Sequence, residues 1–106
     1  MSPRGVSQSF EVLAEPNRRA ILDLLRVRER PVGEIVSALD LSQPSVSKHL
    51  RILRDAGMVD ARIDAQRRMY RLRAGGLRSL DKWLTPYRKM WQESLDSLEK
   101  HLDEMR

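Results

Sequence analysis

The stretch LSQPSVSKHLRIL, residues 41–53, decides how this chain is read. A serine stands shortly before a proline, and Val46, Leu50 and Leu53 then recur at a four-then-three spacing among serines and cationic side chains. Ser42 suits an N-cap because its hydroxyl can accept from an orphan amide of the first turn. Pro44 is tolerated there because its missing N–H had no intrahelical partner. Gly57 suits the left-handed position just past the C-terminus, so both ends of a helix over about 43–56 are marked. The spacing turns Val46, Leu50 and Leu53 toward a core and leaves Ser45, Ser47, Lys48, Arg51 and Arg54 elsewhere on the surface, with His49 and Ile52 at the margins.

Working outward, PVGEIVSALD repeats the helical signal with Val32, Ile35, Val36 and Leu39. Upstream, Ala20, Ile21, Leu24 and Leu25 mark an amphipathic helix opened by Pro16 and closed by Pro31. A shorter first helix from Ser7 offers Phe10, Leu13 and Ala14, and residues 1–6 read as a flexible leader. After Gly57 the period changes from helical to alternating. Val59, Ala61 and Ile63, then Tyr70 and Leu72, alternate with charged residues, so 58–73 reads as a two-stranded hairpin. Its tip around Ala65, Gln66 and Arg67 has no glycine to reveal the turn type. From about 76 to 105 the chain returns to helix, with Leu77, Leu80, Leu84, Tyr87, Trp91, Leu95, Leu98, Leu102 and Met105 near a heptad spacing and Pro86 as a kink or restart. That stripe is longer than a small core needs, which points to a partner chain.

The chain has 106 residues, fitting one domain, with 20 Lys and Arg against 15 Asp and Glu and no cysteine. The missing thiols exclude disulfides, thiolate zinc sites and cysteine nucleophiles. No apolar run is long enough for a membrane span and the opening residues do not resemble a signal peptide, so a cytoplasmic protein with no membrane partner is expected. The net charge of +5 favours polyanionic partners. It lies upstream of residue 92, because the last segment carries Glu93, Asp96, Glu99, Asp103 and Glu104.

The order of short helices, a capped helix with a polar outer face and a basic hairpin is that of a winged helix-turn-helix: mainly α with a small β-hairpin, filling residues 7–106 and ending in a long dimerisation helix. Small side chains on the first half of the capped helix let its backbone approach a major groove, where Gln43, Ser45, Ser47 and Lys48 reach base edges and Arg51 reaches phosphate. Arg67 and Arg68 at the hairpin tip suit a minor groove or its flanking phosphates. Taken singly, each feature also fits a solvated helix face or a charge-protected edge strand. Phe10, Leu13, Leu84, Tyr87, Trp91, Leu95 and Leu98 are candidates for a homodimer interface. Trp83, Tyr87 and Trp91, four residues apart, also fit an aromatic pocket for an organic effector. Neither His49 nor His101 has a serine or cysteine beside it to form a nucleophile–base pair, and no catalytic constellation is present.

LAEPNRRAILDLL, RPVGEIVSALDLSQPSVSKHLRILRDAGMV and RRMYRL resemble the arsenic-repressor (ArsR/SmtB-like) family of transcriptional regulators, over roughly residues 10–72. The resemblance implies a homodimeric, DNA-binding repressor acting on an inverted-repeat operator, with first and last helices at the dimer interface and Gln43, Ser45, Ser47 and Lys48 in the reading positions. Family metal sensors carry thiolates in an ELCVCDL-like stretch; ERPVGEI stands here, with Pro31 and Gly33 in place of the thiols. A second family metal site uses a DxH pair on the last helix, but Asp81 is followed by Trp83. No metal or other cofactor is therefore expected. DKWLTPYRKMWQESLDSLEKHL resembles the final helix of a non-metal branch. The rival reading is a protein–protein interaction module that uses this last helix, with the winged domain as scaffold.

Overall fold

The structure is a computed structural model that describes residues 3–106, with side chains from Gly5 onward. The chain runs α1 (Pro3–Ala14), α2 (Pro16–Val27), β1 (Arg30–Pro31), α3 (Val32–Leu39), α4 (Gln43–Asp55), β2 (Val59–Asp64), β3 (Arg67–Leu72), a 3₁₀ turn (Ala74–Leu77) and α5 (Arg78–Glu104). The three strands form one antiparallel sheet in the order β1-β3-β2.

α2 is capped by Glu15, whose carboxylate accepts from the Arg18 amide at 3.1 Å, with Pro16 at the first helical position. Arg18 and Arg19 finish α1 from outside. Arg18 Nε donates to the Val12 carbonyl and an Arg19 guanidinium nitrogen to the Leu13 carbonyl, both at 2.6 Å, satisfying acceptors that a helix C-terminus leaves open. Ile21, Leu22 and Leu25 then meet Ile35 of α3 and Val46, Leu50 and Leu53 of α4 in one core, which Met58, Val59 and Tyr70 close from the sheet side.

α1 differs from the sequence reading. It begins at Pro3, so residues 3–6 of the expected leader are helical, while Met1 and Ser2 lie outside the described residues. Its inward side is Val6, Ser9 and Val12, and Phe10 stays 46% exposed. The sequence pattern followed the larger apolar residues; the smaller ones lie where α1 packs on its neighbours.

The sheet differs as well. β1 is only two residues long, pairing Arg30 with Tyr70 and Pro31 with Met69. A proline cannot donate to a ladder and tolerates only an edge, so Pro31 gave no strand signal. Alternation also breaks on the central strand, where Met69 and Tyr70 are both buried, while Ile63 near the tip is 70% exposed. The hairpin turns through Ala65 and Gln66 between paired Asp64 and Arg67. Ala65 has φ of 58° and no positive φ falls at Gln66, the sign pattern of a type II′ turn with alanine where glycine is usual. α5 runs unbroken through Pro86, so the proline does not split it.

The 3₁₀ turn packs without a gap on the residues that follow α4. A Cβ at Gly76 would lie 2.2 Å from the Gly57 carbonyl oxygen and 2.7 Å from the Met58 nitrogen, whereas a Cβ at Gly75 would meet nothing within 4 Å. Gly76→Ala should therefore lower stability by about 1–3 kcal/mol or more through overpacking. Gly75→Ala should have a much smaller effect, and thermal unfolding of the two variants side by side checks the contrast.

Candidate nucleic-acid interface

Helix α4 is defined at both ends. Ser42 Oγ accepts from the Ser45 amide at 3.2 Å, and Pro44 lies in the first turn. At the far end Gly57 takes φ of 74°. Its amide reaches the Arg54 carbonyl at 2.9 Å and the Met58 amide reaches the Leu53 carbonyl at 3.0 Å, the paired bonds of a Schellman motif. Val46, Leu50 and Leu53 are buried. This apolar edge seats α4 on α2 and α3 and fixes which side faces outward.

Ser47, Lys48 and Arg51 occupy the face opposite that edge and are exposed, as is Gln43 at the first helical position. Ser45 is only half-buried and its own amide serves the cap, so it sits closer to the protein body than its neighbours. Among the described residues no hydrogen bond or ion pair engages the side chains of Gln43, Ser47, Lys48, Arg51 or Arg54, so all five are free for an external partner. His49 is turned inward. Its side chain is 13% exposed, Nε2 lies 3.9 Å from the Glu15 carboxylate, and Nδ1 is buried without a hydrogen-bond partner among the described residues. It links α4 to the cap of α2 and belongs to packing, not to the outer face.

The hairpin divides its arginines into two sets. Arg62 makes a two-pronged contact with Glu29. Arg71 reaches Asp60 at 2.6 Å and Arg73 reaches the same carboxylate at 2.9 Å. These three cations are spent on holding the sheet. Arg67 and Arg68, flanking the turn, are exposed and pair with no carboxylate among the described residues. The acidic partners Glu29 and Asp60 gave no sequence signal, because the strand register and the β1 edge that bring them to their arginines are long-range.

The other predicted residues lie on a separate side. Phe10, Tyr87, Trp91, Leu95 and Leu98 are between 43% and 60% exposed, and Leu13 and Leu84 are half-buried. Phe10 of α1 meets Trp83 edge-on at 5.4 Å between ring centroids, and Trp83 stacks obliquely on Tyr87 at 4.8 Å. α1 and α5 thus share one apolar surface, and the aromatic residues form an exposed ladder along it. Among the described residues no group of three or more His, Cys, Asp or Glu side chains is placed to hold a metal ion, and no helix is long and apolar enough to cross a membrane.

A capped helix presented on a helical pair, followed by a hairpin with a free basic tip, defines a winged helix-turn-helix transcriptional regulator. The family described as bacterial regulatory protein, arsR family, matches residues 15–61. Over 100 residues the chain is 33% identical to the HTH-type transcriptional regulator Rv2034 of Mycobacterium tuberculosis, covering 94% of this chain and 91% of that protein. It is 33% identical over 75 residues to the transcriptional repressor SdpR of Bacillus subtilis, covering 71% and 83% respectively. Among solved structures, an ArsR family transcriptional regulator matches with a TM-score of 0.74 at 26% identity, over 87% of this chain and 95% of that one. A homodimeric winged helix-turn-helix DNA-binding domain from Mycobacterium bovis matches with a TM-score of 0.65 at 28% identity, over 89% and 93%. The chain belongs to the arsR family of bacterial regulatory proteins.

The wing pairs carry a pH signature. The hydrogen bond from Arg62 holds the Glu29 carboxyl below its ordinary range, and the hydrogen bond from Arg71, reinforced by Arg73, does the same for Asp60. A carboxyl whose pKa is lower in the folded than in the unfolded chain adds stability above the unfolded value, and that stability is lost as pH falls through the folded one. Carboxyl-carbon NMR titration should find both groups ionised below the pH at which the unfolded chain protonates them. Glu29→Gln should remove the Glu29 contribution to the acid-side loss of stability and leave that of Asp60 in place.

Proposed function

We propose that the chain acts in the cytoplasm as a homodimeric repressor that places one α4 per protomer in successive major grooves of an inverted-repeat operator in double-stranded DNA. The observation that carries this reading is the division of cations: those on the hairpin stem are neutralised by carboxylates, while Lys48, Arg51 and Arg54 on α4 and Arg67 and Arg68 at the tip are left free. Charge left free on two elements suits a phosphate backbone, and the uncharged, exposed Gln43 and Ser47 of α4 suit base edges. The names of the relatives, repressor and homodimeric DNA-binding domain, agree with it. Two-fold symmetry sets the half-sites about one helical turn apart, roughly 10 base pairs.

The dimer reading rests on the shared face of α1 and α5. Trp91, Leu95, Leu98 and Leu102 are between 49% and 60% exposed, a stripe too long to leave in water on a small chain. Pairing with a second copy covers it and places the two α4 helices in one symmetric unit. The same stripe would serve a protein–protein module, but that role gives no reason for a free basic tip and a free cationic helix face.

Binding should be measured by gel shift or fluorescence anisotropy on the DNA upstream of the protein's own coding sequence. Gln43→Ala combined with Lys48→Ala should weaken operator binding by at least about tenfold and relax sequence preference, given roughly 1–3 kcal/mol for a good base contact. Arg67→Ala with Arg68→Ala should instead weaken all sequences alike and flatten the salt dependence by about one unit of slope per lost phosphate contact. Unchanged binding in the first variant would show that the reading face lies elsewhere. In sedimentation the wild type should weigh twice its 12.3 kDa chain mass, and Trp91→Glu with Leu95→Glu should run as a monomer.

A further inference from the structure

A cavity of about 360 Å³ opens where α1, the C-terminal end of α4, the 3₁₀ turn and the first turns of α5 meet, within the size range of small-molecule sites. Ser9 forms part of its floor, 6% exposed and the one buried polar side chain among the described residues. Its hydroxyl donates to the Gly5 carbonyl at 3.1 Å and therefore accepts from Ser79 Oγ, also at 3.1 Å. The remaining polar lining is Gln8, Arg78 and Lys82, with no carboxylate on the wall.

Arg78 and Lys82 lie one turn apart on α5, where like charges repel. The neighbouring Asp81 does not relieve them, because it pairs with Arg88 at 2.7 Å. Among the described residues neither cation has a carboxylate partner, in contrast to the stem arginines of the hairpin. Two uncompensated cations and an amide thus line one hollow, whose hydroxyls are engaged with each other and with Gly5 and whose other walls are Ala56 and the backbone of Gly75 and Gly76. An arginine fork with a lysine beside it recognises an oxyanion. The hollow is larger than a bare phosphate needs, leaving room for a small carbon body against the glycines.

The same walls reach the recognition helix. Ala56 is the C-cap of α4, and Gly76 lies in backbone contact with Gly57, the residue that terminates that helix. A ligand bridging Arg78 and Lys82 to the 3₁₀ turn touches both sides of this contact. We propose that the cavity is an effector site for a small organic oxyanion, bearing phosphate or carboxylate, and that its occupancy changes operator affinity. The regulatory half rests on the repressor reading above; the binding half does not.

Direct binding is tested without DNA, by ¹⁵N-resolved NMR titration of the full chain with inorganic phosphate and, separately, with citrate, at constant ionic strength set with chloride. Saturable shifts at the amides of Gln8, Ser79 and Lys82 with either probe support the site, and the probe that saturates first identifies the anion. Arg78→Ala with Lys82→Ala should weaken binding by about tenfold or more at an unchanged circular dichroism spectrum. Should that pair not fold, Lys82→Gln alone should still weaken it measurably. No saturable shift with either probe, or equal shifts in the variants, overturns the proposal. Operator titrations with and without the better probe then test the regulatory half. Saturable binding with unaltered operator affinity overturns that half alone, and loss of operator binding under all conditions counts against the repressor reading while leaving the NMR result standing.

Discussion

The backbone contact between Gly76 and Gly57 is the constraint on which the arrangement of the molecule depends. α4 must stop abruptly so that β2 can begin at Val59, and a left-handed residue with its paired amide bonds makes that stop. The chain then travels out along β2, back along β3 and returns to the same point, where the Arg73 amide meets the Met58 carbonyl at 2.8 Å and the 3₁₀ turn presses on Gly57. A side chain at Gly76 would occupy the volume of the Gly57 peptide. Because α5 follows this turn directly, α4 and the long C-terminal helix are joined through one tight backbone contact.

Electrostatics divide along the same lines. A net charge of +5 says little about where a polyanion docks, because 15 acidic side chains are available to cancel it locally. Pairing decides. Glu29 and Asp60 remove three hairpin arginines from circulation, and Glu34 draws in Arg28 at 2.9 Å. Among the cations left without a carboxylate partner in the described residues are those on the outer face of α4, at the hairpin tip and at the start of α5. Each exposed pair adds little stability alone, but each also sets the pose of a long flexible side chain, so the stem is held by its ion pairs and the tip remains free to reach.

Much of this was legible in residues 41–57. The cap serine, the tolerated proline, the apolar four-then-three spacing and the terminal glycine are local signals, and α4 follows them at both ends. What was not legible is long-range. The two-residue β1 exists only because β3 runs beside it, and its Pro31 argues locally against any strand. The inward face of α1 uses Val6, Ser9 and Val12, residues smaller than Phe10, because that side packs closely on α2 and α5, contacts that no local pattern announces. The five hairpin arginines looked equivalent in sequence, and only the register that brings Asp60 opposite Arg71 separates stem from tip.

The exposed ladder of Phe10, Trp83 and Tyr87 explains why α1 and α5 act as one surface although they are separated by most of the chain. Edge-to-face and oblique ring contacts hold the two helices together on the outside, while the Ser9–Ser79 hydroxyl bond holds them on the side of the cavity. The two helices also form two walls of the hollow lined by Arg78 and Lys82. The proposed dimer face and the proposed effector hollow share this helix pair, and the contact between Gly76 and Gly57 lies between that pair and the helix that carries the free cations.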